Sequence, residues 1–242
     1  MLRIASLHTS LMNVSTPQRV STRALRIATA CVCALALICA PAFAQTQAAR
    51  ASAGSATPKA QRVVLVMGDS LSAAYGLSAS QGWVALTAQK IAKEKPGWRV
   101  VNASISGETT AGGAARIAAE LKRHKPAVVI IELGGNDGLR GLPLKQTRDN
   151  LAKMIVAAQG AKAKVLLIGM RLPPNYGPDY TRGFENAFRE LAIQHKTALL
   201  PFLLQPIMTD RNAFQGDQIH PTAAAQPKLR DHVWPTLSPL LK

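Results

Sequence analysis

Five short runs dominated by Val, Ile and Leu, at residues 63–67, 99–102, 127–133, 164–169 and 198–202, set the narrowest limits on what this chain folds into. Each is apolar almost throughout rather than alternating, the pattern of a strand covered on both faces. A Gly-, Asn- or Pro-rich loop comes after each run, and segments of helical periodicity lie at 82–94, 110–124, 146–160, 179–196 and 221–234. Repeated βα units of this kind predict an α/β protein, a three-layer α/β/α sandwich around a five-stranded parallel sheet with right-handed crossovers. Ligands of such sheets bind beyond the carboxyl ends of the strands. The loops after Met67, Asn102, Leu133 and Gly169 are therefore expected to share one rim.

Ahead of the first run, two segments lack the composition of a core. Residues 1–44 combine Arg19, Arg23 and Arg26 with an apolar stretch from Ile27 to Ala40 and the triplet Ala42-Phe43-Ala44. That is the layout of a secretory leader with an A-x-A cleavage site. The apolar stretch ends at Pro41 and falls short of the roughly 20 residues that a membrane-spanning helix needs. All three cysteines, Cys31, Cys33 and Cys39, lie within it, and Ile38 stands where a lipoprotein signal has a small residue. Met12 offers an alternative start that leaves the processed chain unchanged. Residues 45–60, rich in Ala, Ser, Gly, Thr and Pro, read as a flexible tether. The folded domain is expected to occupy 61–242, in the periplasm or secreted.

Hydrophobic residues make up 48% and charged residues 17% of the chain, proportions that support a sizeable core and exclude a disordered polymer. The leader takes four of the 29 Lys and Arg and no acid, leaving 25 bases against 13 acids, a net +12. The bases are scattered and no nucleic-acid motif accompanies them, so no nucleic acid is expected as partner. At most, peripheral contact with an anionic membrane surface is expected.

Four short blocks carry the chemistry. Gly68-Asp69-Ser70-Leu71-Ser72 comes directly after the first run and sets a serine at a strand end. Position 72 is serine, so this is not the G-x-S-x-G elbow of the α/β-hydrolases. Asp217-Gln218-Ile219-His220-Pro221 places a carboxylate three residues before an imidazole. A serine hydroxyl needs a base to remove its proton, and the base needs a group to fix its tautomer, roles that suit His220 and Asp217. His124, His195 and His232 lie in or at the ends of predicted helices and read as surface or capping residues. The blocks from Asn102 to Thr109, with Ser106 and Gly107, and Gly134-Gly135-Asn136-Asp137 reach the same rim. Glycine N–H groups and an asparagine amide there can stabilise an oxyanion alongside the N–H of Ser70.

In this order and spacing the four blocks resemble the SGNH or GDSL hydrolase superfamily, and Ser70, Gly107, Asn136 and His220 match its four letters. The stretches Gly-Asp-Ser-Leu-Ser-Ala, Asn-Ala-Ser-Ile-Ser-Gly-Glu-Thr, Glu-Leu-Gly-Gly-Asn-Asp-Gly-Leu-Arg-Gly and Arg-Leu-Pro-Pro-Asn-Tyr-Gly are similar to its periplasmic thioesterase I, lysophospholipase L1 and arylesterase branch. The resemblance implies a flavodoxin-like sheet, a triad of Ser70, Asp217 and His220, and an oxyanion hole from Ser70, Gly107 and Asn136. Asp69 is expected to organise its loop rather than react.

The substrate expected is a small acyl ester, thioester or lysophospholipid. Leu71 beside the serine, Leu139 and Leu142 in one apolar loop, and Pro173 and Tyr176 in another are expected to grip it. No cofactor is expected, and no metal, because no His/Asp/Glu cluster has ligand spacing. The chain is expected to act as a monomer. A carbohydrate O-acetylesterase with the same triad is the nearest rival, and a basic binding protein without catalysis is the remaining one.

Overall fold

The apolar runs pair as five parallel strands in the order β2-β1-β3-β4-β5. In this computed structural model, which describes residues 61–242, they span β1 (Arg62–Gly68), β2 (Trp98–Asn102), β3 (Val128–Glu132), β4 (Lys164–Ile168) and β5 (Ala198–Leu200). The expected leader at 1–44 and tether at 45–60 lie outside the described residues. Six α-helices accompany the strands among the described residues: α1 (Trp83–Glu94), α2 (Thr110–His124), α3 (Gly135–Leu139), α4 (Leu144–Gly160), α5 (Pro178–His195) and α6 (Gln226–Leu237).

Burial depends on position in the sheet. Every residue of β3, and all of β1 after Arg62, is buried, because helices cover both faces of these central strands. The expectation that every strand is covered on both faces fails at the edges: β2 is buried only at Trp98, and β5 only at Leu200. One helical layer joins α1 to α6, and the other packs α2 on α4 and α4 on α5. Core side chains such as Trp83, Ile91, Leu151, Met154, Phe184 and Phe188 fill the space between layers and sheet.

Chain direction produces the site. From β1 the crossover runs outward to β2, whereas β3, β4 and β5 lie in turn on the other side of β1, so the connections diverge between β1 and β3. A crevice opens at the carboxyl ends of two neighbouring strands where connections diverge in this way. Gly68 pairs with Glu132 in the β1/β3 register, which sets the end of one strand beside the end of the other at that crevice.

Helix starts differ from expectation in two places. α3 is a separate turn of helix where a loop was expected, held because the buried Asp137 accepts from the Thr110 N–H at 2.8 Å and from the Thr110 hydroxyl. The last helix begins at Gln226, not at Pro221, because residues 213–222 are tied back into a hairpin: Phe214 pairs antiparallel with Pro221, and Gln215 N–H donates to His220 O at 2.7 Å.

Gly169 marks a close approach that supports this end of the sheet. A Cβ there would lie 2.3 Å from the carbonyl oxygen of Pro201, while Gly169 N–H donates to Leu200 O and Gly169 O accepts from Leu203 N–H. Gly169→Ala is therefore expected to lower stability by about 1–3 kcal/mol, read from urea unfolding midpoints at unchanged slope.

Candidate active site

The turn after β1 is too tight for any side chain at its first residue. A Cβ on Gly68 would lie 2.6 Å from the Ser72 Cβ and 2.9 Å from the Ser104 Oγ, so the backbone folds back directly over Gly68. Asp69 holds the rest of the turn in place: its carboxylate is buried and accepts the Leu71 N–H at 3.0 Å and the Asn136 amide at 3.2 Å. Ser70 is left half-buried at the tip of this turn, facing the crevice.

His220 arrives from the other end of the chain. Its Nε2 lies 2.8 Å from Ser70 Oγ, and its Nδ1 lies 2.6 Å from Asp217 Oδ2. The other oxygen, Asp217 Oδ1, accepts the N–H groups of Ile219 and His220 at 2.9 and 3.0 Å, with Gln218 in a left-handed turn between them. The His220 N–H leads these donors in holding the Asp217 carboxyl down at about 2. The hairpin is anchored to the serine turn by the Gln215 side chain, whose amide donates to Tyr75 O at 2.9 Å and to Pro221 O at 3.1 Å. Tyr75 also lies against the imidazole, with ring centroids 4.5 Å apart.

Two of the expected oxyanion donors, the N–H groups of Ser70 and Gly107, donate to nothing among the described residues. The Asn136 amide reaches Glu108 O at 3.0 Å as well as Asp69. Gly107 sits in a left-handed turn, and its carbonyl accepts from Arg140 Nη2 at 3.1 Å.

A small cavity of about 140 Å³ lies at Ser70, Leu71, Asn136 and His220. It shares Gly135, Leu139, Met170, Leu204 and Ile219 with a larger one of about 390 Å³, within the range of small-molecule sites. Of the residues expected to grip substrate, Leu71 and Leu139 line the first and Pro173 the second. Leu142 and Tyr176 line neither: the Tyr176 hydroxyl donates to Leu139 O at 2.9 Å, and the Tyr180 hydroxyl donates to Leu142 O at 2.6 Å, so the loop of Leu139 and Leu142 is braced from behind by the segment after β4. A third wall, Phe202, Leu204, Met208 and Phe214, comes from the segment after β5. Sequence reasoning missed it; the apolar Phe202-Leu203-Leu204 run, continued past the end of β5, was the available signal. His124, His195 and His232 line neither cavity.

Beneath the serine turn lies a residue that sequence reasoning did not single out. Glu132, the last residue of β3, is fully buried and accepts the Ser72 hydroxyl at 2.7 Å, while its Oε1 has no partner among the described residues. Burial, reinforced by the charge of Asp69, pushes its carboxyl well above the usual range, and burial likewise raises Asp69 to about 6. An acid inside an otherwise apolar strand was the sign of it.

A hydroxyl, an imidazole and a carboxylate in relay beside an apolar cavity belong to the chemistry of acyl-ester hydrolases. The chain belongs to the GDSL-like Lipase/Acylhydrolase family, whose model matches residues 66–226. It is 55% identical over 182 residues to the esterase TesA of Pseudomonas aeruginosa, covering 75% of this chain and 90% of that one. It is 43% identical over 178 residues to the thioesterase 1/protease 1/lysophospholipase L1 of Escherichia coli K12, covering 74% and 84%. Among solved structures, TesA superposes with a TM-score of 0.72 over 74% of this chain and 99% of that one. The esterase EstA from Pseudoalteromonas sp., inhibited by monoethylphosphonate, also has a TM-score of 0.72, at 39% identity over 75% and 99% of the two chains. The protein is an ester- and thioester-cleaving SGNH hydrolase with a five-stranded α/β fold.

The buried acids give a pH signature. An acid whose pKa is raised on folding favours the folded state below its unfolded pKa, and that advantage is lost as pH rises through the folded value. Stability is thus expected to fall as pH rises from about 4 through about 6, and Glu132→Gln, which stays neutral, should flatten that fall in urea midpoints measured across the range.

Proposed function

We propose that Ser70 is the nucleophile, His220 its general base and Asp217 the group that orients the imidazole. The observation that supports this most is the continuous relay from Asp217 Oδ2 through His220 to Ser70 Oγ, at 2.6 and 2.8 Å. His220 Nε2 takes the serine proton as Oγ attacks the acyl carbonyl. The negative oxygen that forms is received by the N–H groups of Ser70 and Gly107 and by the Asn136 amide, which turns one proton from its present acceptors toward it. Collapse expels the alcohol or thiol, which takes the proton from His220, and leaves an acyl-enzyme. Water, deprotonated by the same imidazole, releases the acid. Asp217 stays ionised down to about pH 2 and so supports the imidazolium at both steps.

The acyl chain runs from Ser70 into the larger cavity, between Leu139 and Pro173 on one side and the Phe202, Leu204 and Met208 wall on the other. Its apolar lining favours medium and long acyl groups over acetyl, and with them arylesterase, thioesterase and lysophospholipase substrates, the activities that relatives carry in their names. The relay and cavity are complete within one chain, which suits a monomer. Residues 1–44 act as a leader and 45–60 as a tether to the hydrolase domain at 61–242, giving a periplasmic or secreted enzyme. No helix among the described residues is long and apolar enough to cross a membrane.

Ser70→Ala and His220→Ala are each expected to lower kcat by about 10⁶-fold and Asp217→Ala by about 10⁴-fold, with circular dichroism unchanged, in hydrolysis of p-nitrophenyl butyrate. Substantial turnover by Ser70→Ala overturns the assignment. Met208 lines only the far cavity and is exposed, so Met208→Trp should fold and narrow that end. The ratio of kcat/KM for p-nitrophenyl palmitate to that for the butyrate should then fall about tenfold. Acetyl-only turnover by the unaltered enzyme would instead favour a carbohydrate O-acetylesterase.

A further inference from the structure

The positive charge of this protein collects at one end. All strands of the sheet are parallel, so their starts share one end, and the helices that return to it end there too. Strand starts place Arg62, Arg99 and Lys164 at that end. Helix ends and the turns after them add Lys93 and Lys95, then Lys122, Arg123 and Lys125. Lys162, Lys196 and the terminal Lys242 complete the set.

Of the 29 bases, six precede residue 61, leaving twenty-three; eleven of these lie at this end, against one of the 13 acids, Glu94, and the chain's terminal carboxylate. The twelve remaining bases are matched by twelve acids over the rest of the domain. Nearly the whole net charge of the folded domain therefore sits opposite the Ser70 rim.

Many of these cations are unpaired and some are conformationally costly. Arg99, Lys122, Arg123, Lys125, Lys162 and Lys196 are exposed and take part in no ion pair among the described residues. Lys125, Lys162 and Lys196 also hold left-handed backbone, at φ 45°, 64° and 51°. Glycine adopts that conformation freely at a helix end, while lysine does so at a cost that its attraction to the helix dipole does not exceed. Cation density is kept here where local stability favours glycine.

We infer that this end of the domain docks on an anionic phospholipid surface and holds the Ser70 rim away from it. A lipid headgroup layer asks only for a dense array of cations, each adding a similar increment of binding. Single-stranded nucleic acid asks in addition for exposed aromatic side chains on which bases stack; of the aromatic residues at this end, Trp98 is buried under the Arg62 guanidinium, and Trp234, in the last turn of α6, is half-buried with Lys90 over its ring. β1 is seven residues long, so the crevice stands roughly 20 Å from the docked face. The bound enzyme acts on soluble esters and thioesters that diffuse to the open rim.

The test uses the full chain as export leaves it, beside Lys122→Glu/Lys125→Glu/Lys196→Glu and, as a control elsewhere on the surface, Lys145→Glu/Arg148→Glu/Arg182→Glu. Co-sedimentation with phosphatidylcholine vesicles, with and without phosphatidylglycerol, reads binding. The unaltered chain and the control should bind only the vesicles with phosphatidylglycerol and lose binding as salt rises. The first variant should bind at least about a hundredfold more weakly, at about fivefold for each of the three lysines lost, with p-nitrophenyl butyrate hydrolysis in solution unchanged. Vesicle-bound enzyme should hydrolyse that ester as fast as free enzyme. Equal binding to both vesicle types, equal loss in the control variant, inhibition on binding, or tighter binding to poly(dT) than to anionic vesicles each overturns the inference.

Discussion

The site depends on a carboxylate placed where burial penalises its charge most. Glu132 ends β3 fully buried, level in register with Gly68, where the serine turn begins. Its Oε2 takes the Ser72 hydroxyl, and Asp69, the other buried acid, takes the Leu71 N–H and the Asn136 amide. Burial penalises the charged form of both acids, so the turn is stitched chiefly by these hydrogen bonds. Backbone at the rim is thereby fixed on both sides of Ser70 before any substrate is present, the condition under which a donor or nucleophile acts without reorganisation.

The second half of the site is held by different means. His220 and Asp217 lie on a hairpin whose bonds are local: Asp217 Oδ1 to its own turn, Gln215 N–H to His220 O, and Thr222 N–H to Ala213 O. The Gln215 amide on Tyr75 O, the Tyr75 ring and the Ser70 hydroxyl connect that hairpin with the serine turn, across 150 residues of sequence in the last case. The geometry of the imidazole relative to its carboxylate is thus intrinsic to one short segment. Its distance to the serine is a property of the whole sheet.

That difference explains what was legible in the sequence. The five strands, the parallel sheet and the Asp217 to His220 spacing are local or periodic features and could be read from residues alone. Contacts between distant segments could not. The Phe202 to Phe214 wall of the cavity reads as part of a connection until the sheet brings it opposite Leu139 and Pro173. Leu142 and Tyr176 are well placed along the chain, yet they line neither cavity: the Tyr176 hydroxyl donates to Leu139 O, and Leu142 O is held by the Tyr180 hydroxyl. The start of α6 differs from expectation because Pro221 suits a helix's first turn, while the hairpin claims that residue through its pairing with Phe214. The scatter of bases along the chain likewise hid their gathering at one end, which only the parallel strand directions create.

Separation of the basic end from the rim has an electrostatic consequence. Roughly 20 Å lies between them, more than twice the Debye length of about 8 Å at physiological ionic strength. Exposed lysines at Lys122, Lys125 and Lys196 therefore contribute little to the potential at Ser70. The groups that do act there are those in contact: the Asp217 carboxylate on the imidazole, and the buried acids Asp69 and Glu132 beneath the turn. Adhesion and catalysis can then be altered independently. On the docking inferred above, substitutions at the strand starts change where the enzyme sits while those at the strand ends change what it does, because the same parallel sheet that assembles the crevice also keeps the basic end apart from the rim.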